Sequence, residues 1–244
     1  MKLRLVLLIL ALATLTVGYS QPSDSYEYQS EFTWGINKNS SGGLIGGLVF
    51  KKARKLDDRM LETFGLEIMN VKHPQEVRYN SFQTGNLFIY GKSNYLYALR
   101  LQYGRDFILF TKGPQQGVEI KAVGAIGPSI GIVAPYFIER SVDGNSLFFT
   151  VREQYDPNNP NHIFPNILGT GGLLEGIGQS QIQFGGNIKL GVNFELGTFK
   201  TQVTGFEVGM LLDAYLNQIE LMPSTNNYSV FPTVYFTLFY GSRK

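Results

Sequence analysis

The chain has 244 residues, of which 21 are Lys or Arg and 19 are Asp or Glu, giving a formal net charge of +2. A balance this close to neutral disfavours a nucleic-acid partner. There is no Cys, which excludes disulfides, thiolate metal ligands and Cys nucleophiles.

The N-terminal segment has the pattern of a signal peptide. Lys2 and Arg4 supply a positive start, Leu5–Val17 is a short apolar core, and small residues lead to a cut before Gln21. The core is shorter than the about 20 residues that a spanning helix needs. The sequence therefore predicts a signal peptide over residues 1–20 and export from the cytoplasm.

Eight segments alternate between apolar and polar residues with the two-residue period of a β-strand. In chain order they are Tyr28–Asn37, Leu44–Lys51, Glu62–Val71, Asn94–Asp106, Val118–Ile138, Ile182–Leu196, Phe206–Leu221 and Val230–Tyr240. Turn residues separate them. Pro128 lies inside the fifth segment, where its missing N–H predicts a bulge or bend.

The sixth segment indicates which face meets lipid. Its even positions from Ile182 to Leu196 are mostly bulky and apolar, whereas its odd positions are polar or Gly. Because a small barrel has room inside only for its own side chains, the bulky face fits better outward, in lipid. The pattern predicts an all-β fold, a closed antiparallel up-and-down transmembrane β-barrel of eight strands. It forms a single domain over residues 21–244 in the bacterial outer membrane.

The connections between the segments alternate in length. Those after the second, fourth and sixth segments are short, whereas 72–93 and 139–180 are long. A barrel with both termini in the periplasm has short turns there and long loops outside the cell. The first and last external loops are short exceptions.

Charged side chains at inward positions are predicted to fill the lumen. Buried charges must be paired, so we expect interlocking ion pairs that form a polar plug. The alternative is a narrow ion path or proton relay. The predicted network comprises Glu31, Lys51, Glu67, Arg100, Glu119, Lys121, Lys189, Glu195, Glu207 and Asp213.

No combination of residues predicts a catalytic, cofactor or metal site. His73 and His162 fall in external loops, and His162 with Asp156 or Ser180 is the pairing that would suit an enzyme at the rim. No Gly-x-Ser-x-Gly elbow accompanies them, so both histidines are interpreted as solvated loop residues.

Three short patterns resemble ligand motifs only weakly. Gly169–Gly172 lacks the Lys-Ser/Thr and the strand-to-helix context of a phosphate loop. Asp57–Asp58 and Asp156–Asn159 do not reproduce a calcium loop, and turn chemistry explains them more simply.

The external segment from His162 to Gly178 is too apolar for a free loop in water. Either it folds back over the barrel mouth, or the connection 139–180 docks against a protein partner. The residues that would form this surface are Ile163, Phe164, Ile167, Leu168, Leu173 and Leu174.

Four blocks carry a family resemblance: Gly91–Arg105, Ala134–Glu139, Asn166–Gly171 and Val230–Lys244. They resemble a group of small outer-membrane barrel proteins from Bacteroidota, over most of the mature chain. The resemblance implies location more than activity and, by analogy, an accessory subunit of an envelope assembly or secretion machine. Many such barrels end on an aromatic residue, whereas four residues follow Tyr240 here, so the assembly signal is internal or altered.

The preferred hypothesis is an integral outer-membrane protein with a plugged polar lumen and a structural or accessory role. It predicts contact with outer-membrane lipid, no nucleic-acid partner, no cofactor and no enzymatic activity. A narrow pore, an enzyme at the external rim and a soluble ligand-binding barrel are the alternatives.

Overall fold

The computed structural model describes residues 29–42, 46–112, 117–143, 147–172, 175–196 and 201–244. This part of the chain contains two 3-10 helices, Phe164–Asn166 and Ile177–Gln179, and no helix in it is long and apolar enough to span a membrane. The predicted signal peptide lies outside the described residues. The strands are β1 (Ser30–Asn39), β2 (Gly47–Asp57), β3 (Met60–Val71), β4 (Arg78–Asn80), β5 (Leu87–Ile89), β6 (Asn94–Phe110), β7 (Glu119–Pro135), β8 (Phe137–Ser141), β9 (Thr150–Gln154), β10 (Ile167–Thr170), β11 (Gln181–Glu195), β12 (Gln202–Ile219) and β13 (Tyr228–Arg243).

Eight of these strands close into a barrel in the order β1-β13-β12-β11-β7-β6-β3-β2. Every pair is antiparallel, and the ring is closed by β1 and β13, where Trp34 lies opposite Tyr240. A closed ring pairs the backbone groups that an open sheet edge would leave exposed. The predicted eight-stranded up-and-down barrel is therefore confirmed.

Several strand bounds differ from the sequence prediction. β2 runs on past Lys51 because Arg54 pairs with Ser30 on one side and Glu62 on the other. The fifth segment, in contrast, was predicted too long, since β7 ends at Pro135 and the chain then enters a separate sheet.

The bulge predicted at Pro128 is absent. β7 keeps one register with β11 through the Gly186–Pro128 pair. Its register with β6 is also the same before and after this point, at Arg100–Ser129 and Tyr103–Ile126. The register thus shows no bulge at Pro128, although the β6–β7 ladder has no residue pair at Gly127 and Pro128; the alternative of a bend stays a prediction.

The two faces of the barrel wall differ sharply in polarity. On β11, Phe184, Ile188 and Leu190 point outward and are 60%, 50% and 63% exposed, whereas the alternate residues Lys189 and Glu195 are buried. Each barrel strand contributes large exposed apolar residues, for example Phe32, Leu48, Phe64, Leu101, Ile126, Ile188, Met210 and Leu238. Buried charges inside and apolar side chains outside are the arrangement of a transmembrane barrel, in which lipid surrounds the wall.

The two ends of the barrel are built differently. The turn end holds the first residues of β1, the last residues of β13 and the connections β2–β3, β6–β7 and β11–β12. The loop end holds the long connections β3–β6 and β7–β11, which form a two-stranded sheet (β4-β5) and a three-stranded sheet (β10-β8-β9). Structure beyond the barrel is therefore concentrated at the loop end.

A charge placed on the outer wall tests the lipid contact directly. Leu190 lies in the middle of β11 beside Met210, so Leu190→Arg should lower the free energy of unfolding in vesicles by about 2–4 kcal/mol. Ile177, 50% exposed in a loop-end 3-10 helix, is the matched control. Ile177→Arg should change the free energy of unfolding by less than about 0.5 kcal/mol. Denaturant titration of the reconstituted protein measures both. Equal small effects would show that the outer wall faces water.

Candidate functional site in the lumen and at the loop end

An alternating chain of acids and bases crosses the centre of the lumen. Lys51 Nζ lies 2.6 Å from Asp106 Oδ2 and 3.5 Å from Glu207 Oε2. Lys189 Nζ lies 2.9 Å from Glu207 Oε1 and 2.7 Å from Glu67 Oε1, so it links these two carboxylates. These residues come from five strands, so the chain ties distant parts of the wall together.

Arg100 extends this chain to a further carboxylate. Its Nη1 donates to Glu67 at 3.2 Å, and its Nε and Nη2 donate to the two oxygens of Asp213 at 3.0 and 2.5 Å. Ser129 Oγ donates to the same carboxylate at 3.1 Å. This bidentate geometry fixes the guanidinium, and because β6 and β12 are not neighbours in the ring, the contact spans the lumen.

A second cluster closes the lumen nearer the turn end. Lys121 Nζ lies 3.3 Å from Glu31, 3.1 Å from Glu119 and 3.4 Å from Glu195. Arg243 pairs with the same three carboxylates. Since β1 and β7 are diametrically opposite in the ring, the contact between Lys121 and Glu31 crosses the full interior.

Toward the loop end the interior becomes apolar. Leu221 follows β12 and lies across the barrel mouth, where its carbonyl oxygen accepts hydrogen bonds from the backbone N–H groups of Ser93 and Asn94. This apolar layer comprises Val49, Met69, Val71, Leu96, Ala98, Tyr215, Ile219, Leu221 and Phe231. The sequence prediction of a purely polar plug missed it, although Tyr215, Ile219 and Leu221 share the inward parity of Asp213.

The structure places all ten residues predicted for the lumen in the two charged clusters, and Lys51 is the most exposed of them at 15%. Sequence reasoning missed Asp106, Lys112 and Arg243, which complete the same clusters. Asp106 and Arg243 both occupy inward-facing positions of their strands. Asp106 is the last residue of its predicted segment, and Arg243 lies beyond the end of its segment. Within the described residues the lumen thus holds seven carboxylates and six cationic side chains.

His162 is buried, which corrects its interpretation as a solvated loop residue. Its Nδ1 accepts from the backbone N–H of Asp156 at 2.9 Å, and its Nε2 lies 2.8 Å from Glu153 Oε1. The hydrogen bond from His162 holds the pKa of the Glu153 carboxyl below its usual range. Ser180 Oγ instead donates to the Ile177 carbonyl at 2.7 Å. The pairing of His162 with Ser180 or with the Asp156 carboxylate, as an enzyme would need, is not formed.

His73 is buried as well and links two loop-end connections. Its Nε2 lies 3.1 Å from the Asn226 carbonyl, and its ring stacks on Tyr228. Its backbone N–H donates to Glu76, which also pairs with the fully buried Lys92 at 2.7 Å. Burial lowers the pKa of Lys92, and the charge of Glu76 opposes that effect. Both histidines therefore brace loops.

The weak ligand motifs are used in local turns. The backbone N–H of Gly172 donates to Glu175 Oε2 at 2.6 Å, so its own chain occupies this amide. Asp58 pairs with Lys55 at 3.1 Å, and Asp156 Oδ1 accepts from the backbone N–H of Asn158 at 2.8 Å. In the part of the chain that the structure describes, no group of three or more acidic or His residues is arranged to hold a metal ion.

The external apolar segment packs largely on its own chain. Ile167 and Leu168 are buried, whereas Ile163 is 49% exposed; Leu173 and Leu174 lie outside the described residues. Phe164 lies at the centre of an aromatic platform, with the rings of Tyr79, Phe82, Phe88 and Tyr90 between 5.1 and 5.5 Å from its own.

The platform leaves part of its surface open. Phe82 is 81% exposed, and Leu87 and Ile163, the residues before Phe88 and Phe164, are 51% and 49% exposed. The segment thus folds back on the loop end, and an apolar face remains beside it.

No protein-family model and no curated protein matches this chain. Solved structures that share a similar arrangement include Ail, the attachment invasion locus protein of Yersinia pestis, in complex with the heparin analogue sucrose octasulfate. It is 10% identical, with 90% of this chain and 100% of that chain covered and a TM-score of 0.43. Neisserial surface protein A is 12% identical over 88% and 95%, with a TM-score of 0.35. At this similarity neither ligand nor function transfers, and the resemblance to Bacteroidota barrels stays a prediction.

Loss of the central cation should expose the cost of burying unpaired carboxylates. Arg100→Met leaves Glu67 and Asp213 without their shared partner, so it should lower the free energy of unfolding by about 3–5 kcal/mol. Arg152→Met is the control, because Arg152 is 54% exposed and pairs with Glu139 at 3.5 Å, an interaction that contributes about 0–1 kcal/mol. Denaturant unfolding in detergent micelles measures both variants. Equal effects would contradict a desolvated lumen network.

Proposed function

We propose that the protein is an integral barrel of the bacterial outer membrane, with a closed lumen and a loop end that carries its activity. The contrast between the apolar outer wall and the charged interior supports this proposal, because lipid is the solvent that favours it. A cleaved signal peptide over residues 1–20 would deliver the chain. The turn end then lies in the periplasm and the loop end outside the cell.

The lumen supports a plugged barrel rather than a narrow pore. Two charged clusters cross the interior, and the apolar layer lies above them. A permeating ion would have to break buried ion pairs and then pass a dry apolar constriction. The interior therefore acts as the structural core of the barrel.

The aromatic platform supports an accessory role through a protein partner at the loop end. Phe and Tyr are enriched at protein interfaces because they bury a large area with few rotatable bonds. Phe82 of the platform and Ile163, the residue before Phe164, are exposed, whereas Ile167 and Leu168 are buried. A subunit of an envelope assembly or secretion complex, as the family resemblance suggests, would use such a face. Enzymatic activity is not part of the proposal, since both ring nitrogens of His162 have structural partners.

Conductance separates the plugged barrel from the pore. The folded protein in planar bilayers should give no steady channel, because side chains from opposite walls touch in both charged clusters. A general porin in the same bilayers serves as the positive control. A reproducible single-channel conductance of the wild-type protein would favour the narrow pore instead.

Partner binding is tested by removing the exposed part of the platform. In mild detergent the wild-type protein should be isolated from native membranes with a companion, and Phe82→Ser combined with Ile163→Ser should release it. The control is Leu147→Ser, which changes a 52% exposed residue outside the platform. Heat-dependent migration in gels checks that each variant is folded. A wild-type protein that is always isolated alone would contradict the accessory role.

A further inference from the structure

The outer wall carries its charges on one side only. Apart from residues at the β2–β3 turn, the outward-facing charged residues of the described barrel strands are Lys38, Lys52, Arg54, Glu62 and Arg105. All but Lys38 belong to the neighbouring strands β2, β3 and β6. We name Lys52, Arg54, Glu62 and Arg105 the basic patch; it has three cations and one carboxylate.

The patch forms a continuous row across the wall near the turn end. Arg54 lies opposite Glu62, and Glu62 lies opposite Arg105. Arg54 also pairs with Ser30, the first residue of β1, which fixes the height of the row near the periplasmic side. At that height a charged side chain can extend to the lipid headgroups.

Apolar residues border the row on both sides. Phe64 and Tyr103 lie on the membrane-centre side, and Phe107, 49% exposed, lies on the side toward the turn end. The wall therefore does not simply become polar where the membrane stops. Charges enclosed in this way need a counterion, because an unpaired charge against hydrocarbon is costly.

Arg105 is held in one orientation. Its Nη2 donates to Tyr103 Oη at 2.9 Å, its guanidinium lies 5.5 Å from the Tyr103 ring centre, and its Nη1 is 3.7 Å from Glu62 Oε1. Tyr103 Oη in turn donates to Glu62 at 2.8 Å. One face of the guanidinium fork is thus fixed while the side chain stays 37% exposed. The exposed part of this guanidinium suits hydrogen bonding to phosphate oxygens.

Open space lies beside the guanidinium. Gly124 of β7 is paired with Arg105, and a Cβ there would meet only Leu190 Cδ2, at 3.8 Å. Because Gly124 has no side chain, the wall stays open on the β7 side of Arg105. Gly124 leaves room for a headgroup to approach it from the side.

The charge of the patch decides among occupants. A second copy related by a two-fold axis along the membrane normal would bring like charges together, which is unfavourable. An anionic lipid offers both a negative charge and an acyl chain that can lie on Phe64 and Phe107. We propose that the basic patch binds the phosphate of an anionic phospholipid in the periplasmic leaflet, an inference that rests on the proposed membrane location.

Trp34 provides a built-in probe for this lipid. It is the single Trp of the chain, 48% exposed on the outer wall, and it lies opposite Phe50 on β2, next to the patch. Its fluorescence is measured in phosphatidylcholine vesicles that contain equal mole fractions of brominated phosphatidylglycerol or brominated phosphatidylcholine. The wild-type protein should be quenched more strongly by the brominated phosphatidylglycerol. Each basic residue near an anionic lipid contributes about a fivefold preference.

The variants locate the preference on the wall. Arg54→Gln and Arg105→Gln should each lower the preference for phosphatidylglycerol by about fivefold at most, and the double variant should lower it further. Lys38→Gln, which removes the outward charge nearer the loop end of β1, should leave it unchanged. Gel migration before and after heating confirms that each variant is folded.

Four results would overturn the inference. Equal quenching of the wild-type protein by both lipids would exclude a lipid site, and an equal loss with Lys38→Gln would show general attraction rather than a site. Loss of the preference in millimolar inorganic phosphate would indicate a site for a soluble anion. Absence of quenching by any brominated lipid, in contrast, would contradict the membrane location itself, and the lipid site with it.

Discussion

The structure depends on the mutual neutralisation of charges inside a closed, narrow barrel. Lys51, Lys189 and Arg100 each bridge two carboxylates, so the central chain has an acid at each end and alternates throughout. Each cation makes at least one contact with a strand that is not its neighbour in the ring: Lys51 with Asp106, Lys189 with Glu67, and Arg100 with Asp213. Backbone hydrogen bonds in the wall fix the register of the strands, and the ion pairs fix which side chains of opposite strands meet in the lumen. Wall and filling therefore specify one another.

A filled interior has a consequence for where function can reside. Neither charged cluster leaves a side chain free to move toward a ligand without leaving a partner unpaired, which is costly in a dry interior. The loop end is under no such constraint. Its connections contain separate small sheets and two buried histidines, His73 and His162, and they also carry the aromatic platform. The barrel thus acts as a rigid base for the loops.

The two-residue period made the fold predictable, because one stretch from Ile182 to Leu196 already separates a lipid face from a lumen face. Strand ends were harder. The eighth predicted strand ended at Tyr240, yet Arg243 lies inside the barrel among Glu31, Glu119 and Glu195. The burial of His162 could not be predicted, since its partners are fixed only when the turn around Asp156 folds. The apolar layer, in contrast, had a local signal in the inward parity of Tyr215, Ile219 and Leu221, but the contacts of Leu221 with Ser93 and Asn94 across the mouth are fixed only by the fold.

The alternation of inward and outward side chains also explains why charges on the outer wall point to a ligand, whereas charges in the lumen do not. Inward charges are expected in any small barrel, because polar side chains fill it and pair with one another. Outward charges have no such internal explanation. Arg54 and Arg105 face away from every lumen carboxylate, and Glu62 can neutralise only one of them. Under the proposed lipid site, an anionic headgroup balances the remaining positive charge of the basic patch. On these two proposals, one side of the barrel wall is selective toward the membrane, while the loop end serves the protein partner.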